Sequence, residues 1–120
     1  MRNYPVALIS APDTVNQSSV PLFVGQAAAA SFTPVFSDTT VAGTLTIYGS
    51  NELPIGAPPA QYVPSAASFC PIPGATSTVA AGVGPAIVIQ TLTFQYIKAV
   101  FTHASGGSGT IIVNGSFFGV

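Results

Sequence analysis

Hydrophobic and polar residues alternate along this chain in short runs broken by glycine and proline. Over residues 41–49, Leu45 and Ile47 alternate with Thr44, Thr46 and Tyr48. That period of two predicts a half-buried strand, and Gly49-Ser50-Asn51 ends it. Residues 92–103 form a longer run. One face carries Phe94, Tyr96, Lys98, Val100 and Thr102, and the other Thr93, Gln95, Ile97, Ala99, Phe101 and His103. Both faces are partly apolar, which predicts a central strand or one lying under a partner. Ser105-Gly106-Gly107-Ser108-Gly109 follows, and its glycines supply the positive φ angles of a tight reversal. Residues 110–118 read as the return strand, with Ile111, Val113 and Phe117 facing one way and Ile112 and Phe118 the other. The pattern therefore predicts a C-terminal hairpin over 92–118, with a bulge or kink at Asn114-Gly115.

Further strands are predicted over 6–10, 20–24, 31–36, 67–72, 77–80 and 86–90. The one helix candidate, 27–30, is too short to stand and runs into the β-favouring Ser31-Phe32-Thr33. Eleven prolines and twelve glycines lie between the apolar runs. Residues 53–64 hold prolines at 54, 58, 59 and 64 and read as a long polyproline-like loop. With no internal repeat or linker, the expectation is one all-β domain over 1–120. Its predicted form is an antiparallel β-sandwich of roughly seven to nine short strands, jelly-roll or immunoglobulin-like.

Composition sharpens this picture in one respect. Hydrophobic residues make up 48% of the 120 positions, enough for a core, but charged residues only 4%, against about 25% in a typical soluble domain. A mass of 12.1 kDa implies roughly 6,000 Å² of surface. Arg2, Lys98, Asp13, Asp38 and Glu52 must serve all of it, and the net charge of −1 lies close to the value that favours association. Much of the surface is therefore expected to be covered by neighbouring subunits or another partner. Two cations form no basic patch for nucleic acid. No apolar run reaches the roughly 18 residues of a membrane span, and the stretch 4–9 is too short and proline-broken for a signal peptide. So few charges also fail to favour disorder, and the 53–64 loop is expected to be an ordered contact loop.

Candidate chemistry is sparse, and no enzyme activity is expected. Asp13, Asp38 and Glu52 are scattered without a histidine or lysine beside them. The turn signatures Ala11-Pro12-Asp13-Thr14 and Ser37-Asp38-Thr39-Thr40 give the two aspartates structural roles. His103 is the only histidine and has no local serine–acid pair to work with. One His and one Cys fall short of a zinc site, so no catalytic residue, cofactor or metal is expected. Cys70, between Phe69 and Pro71, reads as a small buried hydrophobe. Aromatic residues remain as contact candidates. Tyr48, Tyr62, Phe117 and Phe118, with Pro58 and Pro59 in the loop, are the expected interface residues, since aromatics dominate both cores and interfaces.

The segment Gly43-Thr44-Leu45-Thr46-Ile47-Tyr48-Gly49-Ser50-Asn51-Glu52 resembles a strand end seen in small β-sandwich virion proteins of tailed bacteriophages. The resemblance continues in the aromatic strand from Phe94 to Thr102, the glycine-rich turn 105–109 and Thr110-Ile111-Ile112-Val113. It covers about half the chain, which lacks the tryptophan such proteins carry in the middle loop. The resemblance implies a virion structural protein of the capsid decoration or cement type. Its partners would be its own copies and a major capsid protein, with no nucleic acid or membrane bound. A carbohydrate-binding or host-adsorption module of a tail or fibre is the alternative, with aromatic rings and loop amides as its binding groups.

Overall fold

The computed structural model describes residues 3–25 and 27–119; Arg2, one of the two cations, lies outside them. Nine strands follow in order: β1 (Asn3–Pro12), β2 (Gln17–Ser18), β3 (Leu22–Phe23), β4 (Ala27–Phe36), β5 (Ala42–Ser50), β6 (Cys70–Val79), β7 (Ile87–Ile89), β8 (Tyr96–Ser105) and β9 (Thr110–Gly119). A 3₁₀ turn, Ala66–Ser68, precedes β6. The first sheet has the order β1-β9-β4-β7. The second has the order β2-β8-β5-β6, and β3 also pairs with β8. Every pairing is antiparallel.

Taking β2 and β3 as one interrupted strand, β1 pairs with β9, β2/β3 with β8, β4 with β7 and β5 with β6. This is a long antiparallel ribbon whose closed end is β5–β6, rolled up so that β9 meets β4 and β8 meets β5. Such nesting is the jelly roll, which decides between the two sandwich topologies that the sequence leaves open.

Period-two patterning holds the two sheets together. Along β5 every second residue is buried, with Gly43, Leu45 and Ile47 inward and Thr44, Thr46 and Tyr48 outward. From β8, Ile97, Ala99 and Phe101 meet Ile111 and Val113 of β9 in the core, together with Phe32 and Val41. Phe32 stands edge-on to Phe117, ring centres 5.6 Å apart. Gly43 is required here: a Cβ would lie 2.4 Å from the Thr102 carbonyl oxygen and 2.8 Å from the Phe101 ring.

Several expectations are corrected. Residues 92–118 do not form a hairpin, because β8 and β9 lie in different sheets. The turn after β8 crosses the sandwich, with Gly106 and Gly107 at φ 71° and 89°. Its far side is fixed by Asp13, whose backbone N–H donates to the Gly109 carbonyl and whose Oδ1 accepts from the Gly109 N–H. Residues 92–95 precede β8 as a crossing in which Leu92 N–H donates to Ala28 of the first sheet. The expected strand over 20–24 shrinks to β3, with Val20 exposed beside Pro21. The expected strands 67–72 and 77–80 fuse into β6, where Pro71 and Pro73 are tolerated because β6 is an edge strand. Ala27–Ala30 is strand. The bulge lies not at Asn114-Gly115 but in β1 opposite, at Leu8, where the register slips between Ala7 and Ile9. Cys70 is exposed rather than buried, since the strand that starts there has its core side only on one face and an open edge.

Candidate interaction surface

At one end of the sandwich the chain leaves β5 into residues 51–69 and folds back over the outer side of the second sheet. Three connected groups hold it there. Asn51 bridges to the crossing before β8: its Oδ1 accepts from Gln95 N–H at 2.9 Å, and its Nδ2 donates to the Thr93 carbonyl at 3.3 Å. Glu52 forms the second. Its Oε1 accepts the Tyr62 hydroxyl, and its Oε2 accepts both the backbone N–H and the hydroxyl of Ser65, at 3.0 and 2.9 Å. Ser50 and Ser68 share a hydroxyl hydrogen bond of 2.8 Å beneath it, and Ser68 donates to the Ser65 carbonyl.

Aromatic rings make the third support. Tyr96, buried at the start of β8, donates its hydroxyl to the Pro59 carbonyl at 2.8 Å. Its ring lies 6.2 Å from that of Tyr62 and 5.4 Å from that of Phe23. A local turn adds to this, with the N–H groups of Gln61 and Tyr62 both donating to the Pro58 carbonyl. One row along the sheet, Lys98 sits over the rings of Phe69 and Tyr48, 4.7 and 5.8 Å from their centres. Such a cation–π arrangement spends the charge on covering the sheet.

The loop is thus fixed from below and apolar above. Leu53, Ile55 and Val63 are 69%, 79% and 70% exposed, and Pro58 and Pro59 are exposed between them. The one charge in the segment, Glu52, is turned inward onto Tyr62 and Ser65. These bonds, Tyr62 foremost and then Ser68 and Ser65, hold the Glu52 carboxyl at about 2 against an ordinary 4.5. The same bond to Glu52 pushes the Tyr62 hydroxyl upward.

The sign of the pH dependence follows from those directions. A depressed carboxyl stabilises the fold fully above its unfolded value and loses that contribution as pH falls through its folded one. The raised Tyr62 contributes fully below 10.0 and loses its contribution as pH rises beyond it. The Ser65 amide resonance is therefore expected to stay constant between about pH 5 and 8 and to titrate with a midpoint near 2. A midpoint near 4.5 would show that Glu52 does not hold the loop. Glu52→Gln should raise the rate of proteolytic cutting within 53–61 while leaving the sandwich folded.

The expected interface residues fall into separate places. Pro58, Pro59 and Tyr62 come together in this loop, Tyr62 half-buried as its fastener. Tyr48 is half-buried on the outer face of the second sheet beneath Lys98. Phe118 is half-buried in the first sheet, in register with Ala29. Phe117 is corrected: at 4% exposure it belongs to the core against Phe32. Sequence reasoning missed Leu53, Ile55 and Val63 as the exposed residues, and Glu52 and Tyr96 as the supports.

The opposite end gathers most of the remaining titratable groups around the glycine corner. Ser108 donates its hydroxyl to Asp38 Oδ2 at 2.5 Å, and Asp38 Oδ1 accepts the Thr40 N–H and hydroxyl. These bonds, Ser108 first, lower the Asp38 carboxyl to about 2. The His103 Nε2 faces the Gly106 carbonyl at 2.7 Å. Ser108 is bonded to the acid and His103 to the backbone, an order that fastens the corner. Asp13 is wholly buried, with Oδ2 lacking a hydrogen-bond partner. Among the described residues no group of three or more His, Cys, Asp or Glu is placed to hold a metal.

No protein-family model matches the sequence, and no curated protein matches it. Among solved structures, the fold is similar to that of the SPBc2 prophage-derived protein YomS. The TM-score is 0.62 at 11% identity, over 97% of this chain and 92% of that one. At that identity the likeness is one of fold, and it extends over nearly the whole jelly roll.

Proposed function

We propose that this chain is a virion structural protein, a capsid decoration or cement subunit that binds its own copies and a major capsid protein and so stabilises the particle. The observation that carries this reading is the clasped loop: Leu53, Ile55 and Val63 stand in solvent on a backbone fixed by Glu52, Asn51 and Tyr96. An apolar surface that is already ordered loses little conformational entropy on docking. Burial of each of those side chains contributes about 1.5–3 kcal/mol. The scarcity of charge supports the same reading. Of the three acids, Asp13 is buried and Glu52 is engaged within the loop, which leaves the 6346 Å² surface nearly uncharged. The fold shared with a prophage-derived protein is compatible with it.

The test is the composition of purified phage particles. The chain should be present in a fixed ratio to the major capsid protein, and its removal should lower the temperature at which the particles release their contents. Its absence from particles would overturn the proposal. Presence only at the tail, with retention on host glycans, would replace it with the adsorption-module reading.

A further inference from the structure

One of the three acids is folded inside the protein. Asp13 directly follows β1 and is wholly buried. The glycine corner closes over it: a Cβ on Gly107 would lie 2.7 Å from Asp13 Oδ1 and 3.1 Å from the Asp13 carbonyl oxygen. The fastening of the corner uses only one side-chain oxygen. Oδ1 accepts the Gly109 N–H at 3.1 Å, and an asparagine carbonyl would do the same without a charge. Oδ2 is buried as well and has no hydrogen-bond partner among the described residues. A carboxylate taken out of water loses its charge, pairs with a cation or coordinates a metal. A proton on Oδ2 would leave a buried donor with no acceptor. No side-chain cation answers it either. Lys98, the one Lys or Arg among the described residues, lies over Phe69 and Tyr48, and the His103 Nε2 faces the Gly106 carbonyl. What adjoins Asp13 is a second acid. Asp38 accepts the hydroxyl of Ser108, the residue before Gly109.

We infer that the glycine corner is a calcium site with Asp13 Oδ2 as its anchoring ligand. The donors at hand are all oxygens. Asp38 brings the second carboxylate. The carbonyl oxygens of Asp13 and Thr40 lie against Gly107 and Gly106, 3.1 and 2.1 Å from where a Cβ on each would stand. Calcium takes roughly six to eight oxygens in flexible geometry, backbone carbonyls and water among them. Two acids therefore suffice, and no group of three metal-binding side chains is needed. Magnesium demands near-ideal octahedral geometry and keeps several of its waters, which a ligand oxygen shut off from solvent does not accommodate. An ion here ties three segments together: the end of β1, the turn between β4 and β5, and the crossing from β8 to β9. It clamps one sheet to the other at the end away from the fastened loop 51–69. The site belongs to the chain by itself and is independent of the particle reading above.

Calcium titration of the whole chain, stripped with a chelator and dialysed free of it, tests this. Isothermal titration calorimetry with calcium chloride should show saturable binding of one ion per chain. Calcium at about 100 times its dissociation constant should raise the melting temperature by roughly 5–10 °C. Magnesium at the same concentration should raise it far less. Asp13→Asn keeps the acceptor for Gly109 and removes the charge, so it should fold, as far-ultraviolet circular dichroism reads, and lose the calcium response. Asp38→Asn should weaken calcium binding about 10-fold or more, since ligand charge sets the affinity of such sites. A wild type that neither binds calcium nor melts higher in its presence overturns the inference, whether or not Asp13→Asn folds. Calcium binding at full strength in Asp13→Asn also overturns it, by placing the ion elsewhere.

Discussion

Truncating Phe101 to alanine is expected to cost about 3–5 kcal/mol, because a phenylalanine lost from a packed core forfeits both its burial and the filling of its cavity. Phe101 has no exposed surface and packs against Phe36, ring centres 5.7 Å apart. It also fills the space that Gly43 leaves open, so that no neighbouring side chain reaches into the gap from β5. A small domain holds roughly 5–15 kcal/mol in all, so this one change removes a large part of its stability. Urea denaturation reads the effect as a lower midpoint at an unchanged slope. Val20→Ala, at an exposed position between β2 and β3, should change the stability by no more than about 0.5 kcal/mol. Equal effects of the two changes would contradict the position given to Phe101.

The second large effect concerns binding. Leu53→Asp combined with Ile55→Asp should weaken attachment to the particle by 100-fold or more. An unpaired carboxylate carried into an apolar contact loses the burial of the original side chain and adds the cost of desolvating a charge. Both positions are exposed in the free chain, so its own stability should shift by no more than about 0.5 kcal/mol. Titrating capsids stripped of the chain with wild-type and variant protein measures the difference. Val20→Asp, an equally exposed residue outside the loop, is the matched control and should bind as the wild type does. A double variant that still binds normally would remove the loop from the interface.

The sandwich was legible where burial alternates cleanly. Leu45 and Ile47 in β5 and Ile111 and Val113 in β9 follow a period of two in sequence and in structure. The same alternation puts Phe117 on the side of Ile111 and Val113, which is the core; weighting it as an aromatic contact set that signal aside. The relation between β8 and β9 was not legible. A glycine-rich turn encodes reversal, and the partners on either side decide whether the two strands pair or cross. Here β5 takes one edge of β8, and β1 and β4 take both edges of β9. The loop 53–64 was recognisable by its prolines, and its order by the lack of charge. Its fastenings were hidden, because Asn51 reaches Gln95 and Tyr96 reaches Pro59 across 44 and 37 residues. No local pattern encodes contacts at such separations.

The jelly roll gives each part of this account its place. The rolled ribbon brings the end of β5 beside the start of β8, so Asn51, Glu52 and Tyr96 support one loop. The most direct test is an electron cryo-microscopy reconstruction of the intact phage particle. The account predicts jelly-roll density at regular sites on the shell, with residues 53–64 buried against a neighbouring protein. A shell without that density, or one in which the loop points into solvent while another surface makes the contact, would contradict it.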